Sequence, residues 1–364
     1  MKFQLLFITL FTLLLTSCIK DEALNPEADI LALAFPENSL RTQEVEINND
    51  YIVVYPRQNV NLRDSLITSI ELSEGATYSR ISNSLHNDTL FYIDVVSQSK
   101  AYTKRYSVIQ VEDFPSVFEF ETWVKPSMNF QYENPKEGAV QWYSSNNGIA
   151  IAWNSASKPA NEYPVRKINI SGNTAVELRT MVGPGKIMGG TTIPCVAGSL
   201  YLGGFNPLTG LSNPLRSTSF GIPFNSGKPV QLTGYYMYNE SSEDYINPDG
   251  SRDKNKKDIC AIYAILYKTD NKVHSLYGDD IDTSPNVIAR AEVKPENIKT
   301  GNEFVYFAVD FDYASYPIPF SWEELANNEY KLAIVFSSSH RGQYYEGRPG
   351  NTLIIDNIEL KIEL

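Results

Sequence analysis

The stretch TLIIDNIELKIEL, residues 352–364, alternates with a period of two, which is the signature of a strand. Taken every second residue, it places Ile354, Asp356, Ile358, Leu360, Ile362 and Leu364 on one face, an apolar row interrupted by a single carboxylate. The same period runs through EFVYFAVDFDY (303–313), where Val305, Phe307, Val309 and Phe311 oppose Phe304, Tyr306, Ala308 and Asp310. AIYAILY (261–267) and KLAIVF (331–336) repeat the apolar character. Gly-Pro punctuation fills the intervals, and the one clear helix signal is the capping box Ser321-Trp322-Glu323-Glu324. The chain is therefore expected to be all-β.

Its length argues for two cores. A single core stops growing at about 250 to 300 residues, and this chain has 364, with 42% hydrophobic and 12% aromatic residues. In LFYIDVV (90–96), Phe91, Ile93 and Val95 alternate with Leu90, Tyr92 and Asp94, and short strands with polar turns continue to Glu112. The expected layout is a small β-sandwich over 28–113 and a larger jelly-roll β-sandwich over 114–364, with the boundary at Glu112-Asp113-Phe114-Pro115. A net charge of -12 argues against nucleic acid, which calls for a basic face.

The first residues address the protein. Lys2 and the apolar run from Phe3 to Leu15 read as a secretory signal, too short for a dependable membrane span. Leu15-Thr16-Ser17-Cys18 resembles the lipobox of bacterial lipoproteins, which implies lipidation at Cys18, a signal over 1–17, a tether over 18–27 and a membrane anchor without a spanning helix. Asp21 and Glu22 resemble the export signal of surface lipoproteins in Bacteroides-type bacteria, which implies an outer-membrane protein displayed at the cell surface. The 28–113 region resembles the Ig-like domains that follow such anchors, on ADILALAF (28–35), Gly75 to Ser79 and Tyr106 to Val111, and implies a spacer. Cys195 and Cys260 allow one disulfide or two buried thiols.

Sugars are bound by stacking on aromatic rings while amides, carboxylates and guanidinium groups take the hydroxyls. Aromatic residues next to polar stretches are accordingly the candidates: Trp142 before Ser144 to Asn147, Trp153 before Asn154, Tyr236 in the tyrosine run 235–238, and Arg341, Tyr344 and Tyr345 in a late loop. Each Trp or Tyr within a strand has a core role as its alternative. Glycoside hydrolysis needs two carboxylates across a cleft; Asp279, Asp280, Asp282, Glu323, Glu324 and Glu346 are available, and no pair stands out by context. With three histidines and no G-x-S-x-G, nucleophilic chemistry has little to build on. Asn247-Pro248-Asp249-Gly250 reads as a turn.

VFEFETW, WYSSNNGIA, KPVQLTGYYMY, KDICAIYAILY and IVFSSS with YEGRPGNTLIIDNIEL together resemble the putative carbohydrate metabolism domain of surface lipoproteins from gut Bacteroides-type bacteria. The resemblance implies a jelly roll similar to carbohydrate-binding modules. It also implies a structural calcium held by Glu121 of an "FE" pair and Asp356 of the closing strand; Asn357 departs from the commoner double acid. The alternative for Asp356 is a carboxylate held by backbone or Arg hydrogen bonds. The expected function is capture of complex carbohydrate at the cell surface, alongside other outer-membrane glycan-uptake proteins. The alternatives are a glycoside hydrolase or lyase working through a carboxylate pair, and a surface adhesin or assembly component that binds protein.

Overall fold

The structure, a computed structural model, describes residues 23–36, 39–40, 45–47, 49, 51–54, 56, 67–81, 89–110, 114–126, 130–138, 140–153, 158–187, 190–206 and 213–364. Cys18, the lipobox around it and Asn154 lie outside the described residues. The fold is an all-β sandwich architecture, and the chain divides into two compact units, 1–112 and 113–364. Among the described residues no helix is long and apolar enough to cross a membrane.

In the first unit, five strands line up in the order Glu46–Ile47, Tyr51–Val54, Thr103–Gln110, Thr89–Val96 and Thr77–Ile81. The Tyr51–Val54 and Thr103–Gln110 pair is parallel. Ile30–Ala34 pairs with Ser69–Leu72 to form a second, two-stranded sheet. Phe91, Ile93 and Val95, the alternating face read from the sequence, are buried with Ile30, Leu33, Ile52, Val54 and Val108 in one core. Tyr106 is buried there too, and its hydroxyl donates to Asp29 while accepting from the Ile30 N–H, which pins the first strand.

The second unit packs two antiparallel sheets face to face. One, here the cleft sheet, runs Tyr143–Ser144, Ser199–Tyr201, Tyr330–Ser337, Ala261–Lys268, Val287–Glu292, with Ile222–Pro223 also paired to Tyr330–Ser337. The other, the closing sheet, runs Val165–Ile170, Asn173–Arg179, Thr352–Glu363, Lys228–Asn239, Val305–Asp310, with Val117–Phe118 beside Thr352–Glu363. Their facing sides share one core, in which Ile262, Ala264, Leu266, Ile334 and Phe336 meet Val176, Leu178, Leu232, Ile355 and Leu360. Phe307 and Phe311 join it, as the alternation in 303–313 predicts.

The all-apolar strands have a second job. Ala261, Tyr263, Ile265, Tyr267, Ala333 and Val335 point to the other face of the cleft sheet and form a separate core beneath covering loops. That outer layer is what creates the site.

The closing strand departs from simple alternation. Thr233 pairs with Glu359 and Tyr235 with Asp356, so Gly234 alone faces both Asn357 and Ile358. This is a β-bulge, with Asn357 in the left-handed region at φ 49°. Gly234 permits it, since a Cβ there would lie 2.5 Å from Ile358 Cδ1. Leu353 and Ile355 face the core before the bulge, Ile358 and Leu360 after it. Asp356 is thus on the face opposite the core, and the single apolar row expected from Ile354 to Leu364 is two half-rows on opposite sides.

Candidate functional site

A cleft of about 480 Å³ opens on the outer face of the cleft sheet, within the range of small-molecule sites. Its floor consists of two cross-strand rows, Ser199–Ser337–Ala261 and Tyr201–Val335–Tyr263. Small residues in the first row leave the depth, and rings bound the second.

The walls come from four directions. The helix Ser145–Ala152 contributes Ser145, Gly148, Ile149, Ile151 and Ala152. It begins here because Ser144 caps it, accepting from Asn146 N–H while the Asn147 side chain accepts from Ser144 N–H. The sequence reading takes this segment as an amide-rich loop; Asn at the third position of the box, in place of Glu or Gln, hides the signal. Asn146 is buried and spends its amide on both backbone groups of Val165, so it is not available to a sugar. The hairpin of Met181–Lys186 and Thr192–Val196 adds Lys186, Ile193 and Val196, and Phe205, Leu215 and Phe220 close a third side.

The late loop is the fourth wall, with His340, Gly342, Gln343 and Tyr345 facing the cleft. Two buried carboxylates hold it. Glu346, 3% exposed, takes Lys256 Nζ at 2.5 Å and Arg341 Nε at 2.5 Å. Burial works against its charge, but the bonds from Lys256, Arg341 and Tyr245 prevail and hold its carboxyl below the usual carboxylate value. Asp258 accepts Ser339 Oγ, Arg348 N–H and Ile259 N–H, and burial nevertheless pushes its carboxyl up. Tyr345 has φ 59°, a left-handed residue at the end of the short turn Gly342–Tyr344, and this conformation turns the chain back toward the buried Glu346.

Most of the residues singled out from sequence stand elsewhere. Trp142 is 0% exposed and packs edge-on against Phe118 at 5.1 Å and Phe120 at 5.7 Å; it has no face to offer a ligand. Tyr236, 1% exposed, is core as well, its hydroxyl accepting from Lys299 N–H. Trp153 packs on Tyr163 under Lys158 in a satellite cluster and does not line the cleft. Arg341 is committed to Glu346 and lies over the Tyr344 ring, and neither lines the cleft. Tyr345 does line it. Tyr201, Phe205, Phe220 and Tyr263 were missed; the signal was the two-sided apolar character of 261–267, which requires a covering layer on the second face.

Among the described lining residues there is no Asp or Glu, and the basic members are Lys186 and His340. Of the acids read as available for hydrolysis, none lines the cleft, and five are held elsewhere: Asp279 and Asp280 by Arg216, Asp282 by Arg290 and Gln343, Glu324 by Lys268, and Glu346 by Lys256 and Arg341. Cys195 and Cys260 are buried free thiols, and burial pushes Cys195 up to about 12.

The family profile of the putative carbohydrate metabolism domain matches residues 119–361, which spans the whole cleft sheet and the closing sheet apart from Val117–Phe118 and the last two residues of Thr352–Glu363. The chain belongs to that family. A crystal structure of a putative glycoside hydrolase from Bacteroides thetaiotaomicron VPI-5482 is similar at 30% identity and TM-score 0.64, covering 95% of this chain and 99% of that one. Another, of a putative glycoside hydrolase from Bacteroides vulgatus ATCC 8482, is similar at 29% identity and TM-score 0.61, covering 70% of this chain and 100% of that one. No curated protein matches.

In this carbohydrate metabolism domain, Glu121 is near enough to Asp356 to act on its charge, beside a seam where Val117–Phe118 and Asn173–Arg179 share one edge of the closing strand. Glu121 is exposed, with one oxygen taking Thr174 N–H and the other Thr174 Oγ1. Asp356, 8% exposed, accepts only Asn357 N–H among the described residues. Burial, then the charges of Glu121 and Glu119, push its carboxyl above the ordinary value. Glu137, bonded to Phe120 N–H, is raised in the same way by burial and by Glu119 and Glu121. The donors are all hard oxygens, which suits a calcium ion; among the described residues no three His, Cys, Asp or Glu side chains form a ready ligand group, so backbone carbonyls would complete such a site.

Proposed function

We propose that this carbohydrate-related protein is a lipid-anchored, surface-displayed lipoprotein whose larger domain captures glycan in the cleft of the second unit, with the first unit as spacer. The observation that carries the reading is the cleft itself: a pocket in a carbohydrate metabolism domain, floored by tyrosines and rimmed by Lys186, His340 and Gln343, with no lining carboxylate among the described residues. Catalysis by a carboxylate pair needs acids that such a lining does not supply, whereas binding needs a concave, largely apolar surface with a few placed polar groups. Capture fits delivery to other outer-membrane glycan-uptake proteins, and the sequence of residues 15–22 supports the anchor.

A polysaccharide affinity gel and a glycan array test it. Retention by at least one glycan, weakened by Gln343→Ala, supports capture; no retention on any overturns it. Hydrolysis is the second reading, favoured by the descriptions of both similar crystal structures. Release of reducing ends from the retained glycan, abolished by one carboxylate substitution, would establish it.

We also propose a structural calcium at the seam of Glu121 and Asp356. Its support is the desolvated Asp356, which has no cationic partner among the described residues and has two other acids near it. A cation would offset that cost.

A further inference from the structure

We infer that the glycan taken by the cleft carries an apolar substituent, an acyl or aryl ester, which enters the cleft while the sugar stays at the rim. The inference rests on the glycan-capture reading and names the ligand class of the same site.

The lining changes character with depth. At the rim, Lys186 and His340 are exposed and Gln343 is half-buried. Lower down, Ile149 and Ile193 are buried, and the rings of Tyr201, Phe220 and Tyr263 are between 3% and 8% exposed. A pyranose stacks on an aromatic face that stands open to solvent, with its hydroxyls turned outward to polar groups. Rings this deep offer no such platform. The side walls are aliphatic: Ile151 on the helix, Ile187 beyond the hairpin strand, and Leu215 and Ile281 opposite. The lining hydroxyls of Ser144, Ser217 and Ser337 are donated within the protein to Asn134, Pro214 and Ser339, so a sugar pressed between these walls would lose water from its hydroxyls with few partners to gain, which is unfavourable. An alkyl or aromatic group loses nothing there and gains from each apolar surface removed from water.

Ile151 lines the cleft and is 36% exposed, so its side chain is open to a group entering there. The polar rim then has a role that the interior cannot perform. Lys186 and His340 can donate to the ester carbonyl or to sugar hydroxyls, and Gln343 can do either, held in turn by Asp282 at 3.3 Å.

The test is calorimetric titration of the full chain with a homologous series of alkyl glucosides, galactosides and mannosides, from methyl to octyl, each below its micellar concentration. Affinity should rise by roughly three- to fourfold per methylene over the first several carbons. Ile151→Ser and Ile187→Ser should flatten that slope; both positions are at least partly exposed, so folding is little affected, and a melting curve checks this. Affinity independent of chain length, or a slope unchanged in both variants, overturns the inference. The two readings fail separately. A polysaccharide retained through the cleft with a flat alkyl series leaves capture standing and removes the substituent. A steep series with no polysaccharide retained removes capture.

Discussion

The Ser339 hydroxyl lies 2.8 Å from each carboxylate oxygen of Asp258, and both side chains are buried. The pair joins the end of a cleft-floor strand to the residues before Ala261–Lys268, and the late loop departs from it. Hydrogen bonds to a charged group are worth about 1.5–3 kcal/mol each, so Ser339→Ala should lower stability by about 2 kcal/mol. Thermal melts should show a drop of several degrees. The pH dependence has a definite sign. Asp258 is pushed up in the fold, so the native state holds its proton more tightly than the unfolded chain, and this group's contribution falls as pH rises above the ordinary carboxylate value.

Glu346 should behave in the opposite sense. Its carboxyl is held low, so its stabilisation is present above the ordinary carboxylate value and is lost as pH falls through the lowered one. Glu346→Gln should therefore weaken acid sensitivity of the late loop and loosen it at neutral pH. Its cations, Lys256 and Arg341, are partly open to water, so the cost should be about 1–2 kcal/mol, below that of a fully buried pair. Proteolysis at neutral pH should cut the variant faster between Arg341 and Tyr345.

Trp142 and Tyr345 separate core from site. Trp142→Ala removes a ring fully enclosed by Phe118, Phe120 and Phe336 and should cost about 3–5 kcal/mol, with affinity unchanged in the fraction still folded. Tyr345→Ala should cost less stability and weaken binding about tenfold, equivalent to about 1.4 kcal/mol. Melting and affinity electrophoresis on both variants check the division.

Calcium should raise the melting temperature of the full chain by several degrees at saturation, by mass action on the native state. A chelator should reverse the shift. Asp356→Asn should abolish the calcium response and, in chelator, melt no lower than the unsubstituted chain, because it removes a desolvated charge. An unchanged midpoint with and without calcium would remove the metal.

Where local chemistry decides, the sequence is readable. The two-residue period places Phe91, Ile93, Val95, Phe307 and Phe311 in their cores, and Ser321 caps the short helix Trp322–Ala326, although the return bond of the box is replaced by one from Ser321 N–H to the Tyr330 hydroxyl. Asp356 shows the limit. Its face depends on a bulge created by the pairing with Thr233 and Tyr235, over a hundred residues away, and no period within 352–364 reveals it. The site is less legible still. Trp142 and Tyr236 have the right chemistry for sugars but sit at core-facing positions, while Tyr201 and Tyr263 become cleft residues through cross-strand register with Val335. Register between distant strands is a tertiary property.

Glycan is proposed to occupy the cleft on the outer face of the cleft sheet. Hydrogen exchange of the full chain, measured with and without a polysaccharide retained in the affinity gel, addresses it directly. Added protection is expected in the helix Ser145–Ala152 and in residues 340–346, with none on the opposite sheet where Tyr235 and Tyr306, 43% and 54% exposed, stand side by side. Protection confined to the Tyr235 and Tyr306 face, or to the first unit, would contradict it.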